Sequence, residues 1–224
     1  MDPTTAIVVI VVLIIAITIH EFSHAKFADL AGDPTPRYYG RVTLNPLKHL
    51  DPFGTIMMVV TVVNGFGIGW GRPVLVDPRK MRNPRWDHFI SVAAGPLSNL
   101  LQAAIYAIFF RFLAKSGQLV LVENGPSDPL TTFVMYGVLV NISLFLFNLL
   151  PIGPLDGHWL VGAFLPDRLR DKWYLWNRTT GTILMLVLVL GGQFVRGTSL
   201  GFLDIVGHVL APAAAKLLDI LIGT

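Results

Sequence analysis

The strongest constraint on this chain is an apolar run near its N-terminus that leads directly into ionisable residues. Residues 6–19 are all apolar except Thr18, and they are followed at once by His20-Glu21-Phe22-Ser23-His24. This run has the composition of a membrane helix, and the span that we predict from it extends to residue 31. An ionisable side chain in the middle of such a helix costs about 2.5–3.5 kcal/mol on insertion scales. The histidines and the glutamate therefore need an interaction that compensates for their burial.

The spacing of these residues, H-E-x-x-H, indicates what that interaction is. On a helix, His20 and His24 lie one turn apart and about 40° from each other around the axis, so both imidazoles can bind one metal ion. Two imidazoles suit Zn²⁺, and Glu21 can take a proton from a water that the metal activates. The alternative is a chance match, which is rarer in an apolar helix. The motif predicts a zinc site roughly 21 Å along the helix from Ala6, or about 9 Å inside the far face of the hydrocarbon core.

The composition places the whole chain in the membrane. Hydrophobic residues make up 53% of the 224 residues and charged residues 14%, whereas soluble domains carry about 25% charged residues. Cysteine is absent, which excludes disulfides and thiolate metal ligands. The net charge of +3 is expected to set membrane topology rather than to bind nucleic acid. We expect one membrane-embedded domain over 1–224, with a core at 6–180 and terminal helices at 181–224.

The hydrophobic pattern predicts an all-α polytopic membrane protein with about five transmembrane helices. A further apolar segment, 53–70, contains about 14 apolar residues before it breaks into glycines, which is short for a span and favours a re-entrant segment. The residue pattern also predicts short strands at 37–44 and 73–78. The predicted spans are 6–31, 87–113, 130–150, 182–194 and 200–221.

The positions of the basic residues bear on topology. Twelve of the 17 Lys and Arg residues fall in three segments, 32–52, 71–87 and 151–180. These three segments can share one side of the membrane only if 53–70 enters and returns. The positive-inside rule then places them in the cytoplasm and the N-terminus outside. The alternative is a crossing helix at 53–70 with the basic residues on both sides.

A zinc site with two histidines lacks a third protein ligand. The candidate segment is 148–157, in which Pro151 and Pro154 interrupt the third predicted long span and Asp156 follows directly. Broken backbone at membrane depth is tolerated where it lines a cavity. Asp156 could instead cap a helix that begins near His158, since Asp is a good N-cap residue. The residues alone leave both interpretations open.

Taken together, these motifs resemble the site-2 protease family of intramembrane zinc metalloproteases. The resemblance covers roughly residues 6–180 and is closest to the small prokaryotic members without PDZ or CBS domains. Two departures are His158, where members often have Gly, and a zinc-binding helix that comes first in the chain. The similar stretches are His-Glu-Phe-Ser-His at 20–24, Asn-Leu-Leu-Pro-Ile-Gly-Pro-Leu-Asp-Gly at 148–157, Gly-Pro-Leu-Ser-Asn at 95–99 and Arg-Val-Thr-Leu-Asn-Pro at 41–46.

The resemblance implies a role for each matching residue. His20, His24 and Asp156 would be the ligands of one Zn²⁺ per chain, and Glu21 would be the general base. Asn148 would assist substrate binding or stabilise the oxyanion. The two predicted strands would form a short β-hairpin or sheet near the active site, which would pair with an unwound segment of the substrate.

The implied function is that of a zinc metalloendopeptidase that cuts transmembrane segments of membrane-protein substrates. Its partners would be the lipid bilayer and a transmembrane substrate, its location the cell membrane as a multi-pass protein, and its active site nearer the cytoplasmic face. The oligomeric state is not indicated. Two alternatives are a metal transporter with a His–carboxylate relay and an inactive relative that binds transmembrane partners.

Several other polar residues are candidates for supporting roles. His49 either lines the site or is a solvated loop residue, and His158 could tune Asp156 as an outer partner. Asn99 and Asn141 are expected to form hydrogen bonds between helices. We expect His88 and His208 to be interfacial or packing residues.

Overall fold

The computed structural model describes residues 2–64, 69–119, 121–122, 125–126, 128–195 and 204–223. Most of this part of the chain is helical. The helices are α1 (Pro3–Leu30), α2 (Thr35–Tyr38), α3 (Pro52–Asn64), α4 (Trp86–Lys115), α5 (Pro129–Asn148), α6 (Asp156–Phe164), α7 (Asp167–Trp176), α8 (Thr182–Val195) and α9 (Ile205–Ile222).

Among the described residues, four helical segments are long and apolar enough to cross a membrane: α1, α4, α5 and a continuous segment, Asp167–Val195, that contains α7 and α8. The chain is thus a multi-pass membrane protein. The helices predicted at 6–31, 87–113 and 130–150 are confirmed by α1, α4 and α5. The short helix predicted at 182–194 corresponds to α8, which is the second part of the candidate span Asp167–Val195. The fifth span, predicted at 200–221 where α9 lies, stays a prediction, as does the domain organisation.

The ends of the long helices follow from local sequence. Asp2 accepts a hydrogen bond from the backbone N–H of Thr5 at 3.0 Å, and a proline follows it at the first helical position of α1. Asp128 caps α5 in the same way, again with a proline directly after it. Short polar N-caps satisfy backbone donors that the first turn leaves free, and proline has no donor to lose there. α1 ends before Gly32, whose φ of +108° favours glycine.

Small residues bring α1, α4 and α5 close together. Ala16, Ala25 and Ala28 of α1 and Ala103 of α4 are fully buried. In α5, a Cβ added to Gly137 would lie 2.4 Å from the ring of Tyr106. Close packing of small residues is a main source of helix association in membranes, where lipid offers no hydrophobic driving force. α9 packs on the outside of the cluster formed by Ala103, Ala107, Val138 and Ile142.

The predicted β-hairpin near the site is wrong. Residues 35–38 form helix α2, residues 73–77 form neither a helix nor a strand ladder, and Pro78 begins a short 3₁₀ turn. In the part of the chain that the structure describes, the paired strands are β1 (Leu121–Val122) and β2 (Gly125–Pro126), which lie in the connector between α4 and α5. Weak alternation misled the prediction. In 73–77, the N–H of Asp77 bonds to the side chain of Asp33, and the N–H groups of Val74, Leu75 and Val76 have no partner among the described residues.

Residues on either side of α3 meet each other. Leu50 and Gly71 form an isolated antiparallel bridge. The returning backbone runs against α3, since a Cβ added to Gly54 would lie 2.1 Å from the carbonyl oxygen of Trp70, and one added to Gly69 would lie 2.6 Å from Met58. Residues 65–68, within the predicted re-entrant segment, lie outside the described residues. The chain therefore leaves and returns to nearly the same place.

Candidate active site

The structure brings three of the predicted site residues together. The Nε2 atoms of His20 and His24 are 3.0 Å apart. Oδ2 of Asp156 lies 3.2 Å from Nε2 of His20 and 3.3 Å from Nε2 of His24. These residues form a cluster that could hold a metal ion. The sequence separation is large, so α1 and the segment after α5 must be packed together to make it.

The separations fit zinc. In a tetrahedral zinc site with bonds of about 2.0–2.1 Å, two ligand atoms are roughly 3.3 Å apart. The three separations measured in the cluster are close to this value. Oδ2 of Asp156 is buried and has no hydrogen-bond partner among the described residues, although buried carboxylate oxygens are normally satisfied. A cation bound by all three residues would satisfy it.

Hydrogen bonds on the far side of each imidazole orient the rings. Nδ1 of His20 lies 2.7 Å from Oδ1 of Asn99, and Nδ1 of His24 lies 2.9 Å from the carbonyl oxygen of Ser91. Both partners are acceptors, so each Nδ1 carries the proton and donates it. Each Nε2 is then left with a free lone pair directed at the cluster, the arrangement usual for metal-binding histidines.

The bond to His20 continues as a chain of amides across three helices. Nδ2 of Asn99 in α4 donates to Oδ1 of Asn141 in α5 at 2.9 Å, and Asn141 donates in turn to the carbonyl oxygen of Gly137 at 2.9 Å. Both asparagines are fully buried. The predicted hydrogen bond between helices at these positions is confirmed. The chain fixes which way the Asn99 amide faces, and so presents its oxygen to His20.

Gly95 makes the approach of α4 to the histidines possible. A Cβ on this residue would lie 2.2 Å from Nε2 of His24 and 2.8 Å from Cε1 of His20. No side chain larger than hydrogen fits there without displacing a ring. The glycine of the Gly-Pro-Leu-Ser-Asn stretch thus lets α4 pack against α1 at the cluster.

Asp156 is not the N-cap residue of α6. Helix α6 begins at Asp156, so the cap position belongs to Leu155, which makes no side-chain cap bond. The carboxylate faces His20 and His24 instead of closing the helix end. The helix also begins two residues earlier than the sequence analysis expected. Helix α5 ends at Asn148, and the non-helical segment 149–155 that follows it places Asp156 at the cluster.

Glu21 lies next to a buried arginine that the sequence analysis noted only as part of a motif. Nη2 of Arg41 is 4.0 Å from Oε2 of Glu21, and it donates a hydrogen bond to the carbonyl oxygen of Arg72. The Arg41 side chain is 6% exposed, and burial lowers the pKa of Arg41 from its ordinary value. A buried cation beside Glu21 favours the ionised carboxylate that a general base requires.

An extended segment, 72–77, crosses beside Glu21 and is called the strap below. The backbone N–H of Arg72 donates a hydrogen bond to the carbonyl oxygen of His49 at 2.7 Å, and the N–H of Asp77 donates one to Oδ2 of Asp33 at 2.7 Å. The strap is thus held at both ends by bonds to other segments. His49 is fully buried and its Nε2 donates to the carbonyl oxygen of Thr43 at 2.7 Å. Burial lowers the pKa of His49, consistent with a neutral ring that braces the loop rather than a solvated one.

The remaining candidates are placed as follows. Asn148 lines the cavity at the cluster, with its Nδ2 bonded to the carbonyl oxygen of Leu144 in its own helix at 2.9 Å. His158 bonds the carbonyl oxygen of Leu155, so its ring partner is backbone rather than Asp156. His88 packs edge-on against Trp159 at a ring distance of 5.2 Å and also lines the cavity. His208 bonds a carbonyl within its own helical turn.

The cluster lies in a cavity of about 680 Å³ whose walls are mostly apolar. His20, Glu21 and His24 line it, together with Asp156. One wall is the strap, and another comes from α8, which contributes Met185 and Leu186. A cavity of this size holds several residues of an extended apolar peptide, with polar groups concentrated at one place.

Comparison with known proteins agrees with this chemistry. A family model described as Peptidase family M50 matches residues 116–191, a range that contains Asn148 and Asp156. "Putative zinc metalloprotease YwhC" of Bacillus subtilis (strain 168) is 39% identical over 179 residues, which is 80% of this chain and 78% of that protein.

A second relative is more distant. "Putative zinc metalloprotease Rip2" of Mycolicibacterium smegmatis (strain ATCC 700084 / mc(2)155) is 28% identical over 164 residues, or 71% of this chain and 57% of that protein. No solved structure matches the chain significantly.

Proposed function

We propose that this chain hydrolyses peptide bonds within or near transmembrane segments of membrane proteins. The chain belongs to peptidase family M50, the family of site-2-type zinc metalloproteases. Zinc is the cofactor of such proteases. The observation that carries the proposal is the convergence of His20, His24 and Asp156 beside Glu21 in an apolar cavity of a multi-pass protein.

The roles of the site residues follow from their chemistry. His20, His24 and Asp156 would hold one zinc ion, which when bound lowers the pKa of a water molecule and polarises the scissile carbonyl. Glu21 takes the proton of the attacking water and delivers it to the nitrogen of the leaving amine. The Asn148 amide faces the cavity, where it can donate to a substrate carbonyl. Arg41 supports the anionic form of Glu21 through its buried charge.

The strap offers a means of holding an unwound substrate. Among the described residues, the backbone N–H groups of Val74, Leu75 and Val76 have no hydrogen-bond partner, and all three residues line the cavity. An extended peptide can pair with exposed backbone of this kind. A helical substrate must break its own hydrogen bonds before its scissile carbonyl is accessible, and pairing with the strap would offset part of that cost.

The topology we propose puts the site near the cytoplasm of a cell-membrane protein. The meeting of Leu50 with Gly71 supports an α3 segment that enters the membrane and returns. The basic segments 32–52, 71–87 and 151–180 then share one side, which the positive-inside rule assigns to the cytoplasm. Water would reach the site from that side.

The test is cleavage of a model transmembrane peptide by the purified chain in lipid vesicles, followed by mass spectrometry. Glu21→Gln is expected to lower the rate by about 10²–10⁴-fold, the usual contribution of a general base, while zinc content stays at one per chain. Glu123→Gln, which changes the only other glutamate of the sequence, serves as the matched control and should keep full activity. A chelator should abolish cleavage and added zinc should restore it.

Two outcomes would favour the other functions. Zinc uptake into vesicles without cleavage would indicate a transporter. Tight binding of the peptide with no product from the wild-type chain would indicate a binder that does not cut. Wild-type activity in Glu21→Gln would remove this residue from the mechanism.

A further inference from the structure

The segment that carries Asp156 to the cluster has little regular structure of its own. Between α5 and α6 it contains two prolines, and its internal backbone bonds are Ile152 N–H to the carbonyl oxygen of Leu150 at 2.8 Å and Leu155 N–H to that of Ile152 at 3.1 Å. Two local bonds do not fix where a segment sits relative to the rest of the protein. Its position must come from contacts with another element.

That contact is made by Asn177. The backbone N–H of Gly153 donates to Oδ1 of Asn177 at 2.6 Å, across 24 residues of sequence. Asn177 is fully buried, and its Nδ2 donates to the carbonyl oxygen of Trp173 at 3.1 Å. The second bond fixes the orientation of the amide, so that its oxygen, and not its nitrogen, faces Gly153.

Asn177 occupies a special place in its helix. Residues Asn177–Gly181 form a single wide turn between α7 and α8. Wide turns of this kind are rare within helices and often occur at functional sites. At its far end, the hydroxyl of Thr182, which lines the cavity, donates to the carbonyl oxygen of Asn177 at 3.3 Å. The wide turn therefore lies where the helix Asp167–Val195 contacts the segment that carries Asp156.

Two glycines permit this contact. A Cβ on Gly153 would lie 2.4 Å from the carbonyl oxygen of Asn177, and a Cβ on Gly181 would lie 2.8 Å from Oδ1 of the same residue. At both positions, only glycine leaves room for Asn177. The backbone of 151–155 and the wide turn are therefore in close contact.

We propose that Asn177 is a positioning residue for the metal centre, one that fixes the Asp156 carboxylate relative to His20 and His24 by anchoring the segment 151–155 to the fourth membrane span. The inference rests on the proposed zinc site. It adds that the geometry of the third ligand is set by the helix Asp167–Val195 rather than by α5, which precedes it in the chain. A displacement of that helix would move Asp156 away from the two histidines.

The test compares three variants of the full chain in detergent, loaded with Co²⁺ as a spectroscopic probe for zinc. Asn177→Ala removes the acceptor and is expected to weaken Co²⁺ and Zn²⁺ binding by about tenfold, the lower end of the effect of outer-shell substitutions, and to shift the visible absorption of bound cobalt. Asn177→Asp keeps an acceptor oxygen for Gly153 but loses the donor to Trp173, so it should recover part of both properties. Thr179→Ala, an exposed hydroxyl on the same turn, is the matched control and should equal wild type.

A readout without metal separates positioning from metal chemistry. In the metal-free protein, amide hydrogen exchange in the peptide that contains Gly153 should be faster in Asn177→Ala than in wild type or Thr179→Ala. Should Asn177→Ala fail to fold, Gly181→Ala takes its place, because the added methyl displaces the amide without deleting it.

The outcomes are distinguishable. A wild-type chain that binds no cobalt contradicts the proposed metal site itself. A wild-type chain that binds cobalt, together with an Asn177→Ala or Gly181→Ala variant of unchanged affinity and spectrum, contradicts the role of Asn177 alone. A folded Asn177→Asp variant as weak as Asn177→Ala would show that the acceptor oxygen is not what matters.

Discussion

Each histidine of the cluster forms a hydrogen bond with one ring nitrogen and directs the other at Asp156. The acceptor is a backbone carbonyl, that of Ser91, for His24 and a side-chain amide, that of Asn99, for His20. A backbone carbonyl is present whatever the side chain, but an amide oxygen faces the ring only if the amide is itself oriented. The two histidines therefore differ in how far their orientation depends on another side chain.

This difference leads to a prediction for Asn99. Asn99→Ala leaves Nδ1 of His20 without its acceptor, and we expect zinc affinity to fall by about 10–100-fold. The measurement is competition with a chromophoric chelator. Asn148→Ala is the comparison, because Asn148 contacts no ligand and should leave zinc affinity within about threefold of wild type while lowering turnover. Equal affinities in wild type and Asn99→Ala would show that the amide chain does not orient His20.

The three residues of the cluster were singled out from the sequence, whereas the residues that support them mostly were not. His20 and His24 have a spacing that places them on one helix face, and Asp156 follows a break in a span. Ser91 and Asn177 act through atoms brought near by packing, and no local pattern marks them. Arg41 lay within a motif that we singled out, but its burial beside Glu21 depends on the fold of the 41–49 segment.

At the scale of the elements, the site depends on how closely α4 approaches α1. Gly95 faces both histidine rings, and Ser91 and Asn99, one turn away on either side, bond to them. Helix α4 thus supplies both the space for the two histidine rings and the acceptors of their hydrogen bonds. The helix-packing surface and the outer part of the metal site are the same surface.

Substitution of Gly95 tests this dependence. Gly95→Ala is expected to force α1 and α4 apart, to cost about 1–3 kcal/mol in the free energy of unfolding and to abolish stoichiometric zinc binding. The control is Gly191→Ala in α8, where an added Cβ meets nothing within 4 Å. Thermal unfolding in detergent and metal analysis give both values. A Gly95→Ala variant with wild-type stability and one zinc per chain would contradict the packing shown here.

The elements that the sequence predicted well are those whose pattern is long. α1, α4 and α5 each contain twenty or more residues of consistent character. The failures are short or mixed. The segment 37–44 was taken for a strand on weak alternation, yet it begins inside a helical turn and its later part is held by the His49 ring and the Arg41 guanidinium. In the candidate span Asp167–Val195, only the part that forms α8 was predicted, because the first turns are charged.

At the scale of the whole molecule, the arrangement of α3 decides the topology. If α3 enters and returns, as the pairing of Leu50 with Gly71 suggests geometrically, the loops on either side of it share one face of the membrane. The strap then lies on the same side as the basic segments. Water and the strap would both approach the cluster from the cytoplasm.

The absence of cysteine from the sequence makes this topology directly measurable. We predict that single cysteines at Lys48 and Lys80, both exposed, react with an impermeant maleimide in inverted membrane vesicles and not in intact cells. A cysteine at the exposed Gln118, beyond α4, should show the opposite pattern. Labelling of Lys48→Cys and Lys80→Cys from opposite sides would mean that 53–70 crosses the membrane.

The most direct test of the central claim is zinc K-edge X-ray absorption on the purified chain and on Asp156→Ala, with Asp167→Ala, an exposed aspartate, as control. The account predicts one zinc per chain bound by two imidazole nitrogens and a carboxylate oxygen at about 2.0–2.2 Å, loss of the oxygen ligand in Asp156→Ala, and no change in Asp167→Ala. A wild-type chain without zinc, or a first shell that Asp156→Ala leaves unaltered, would contradict it.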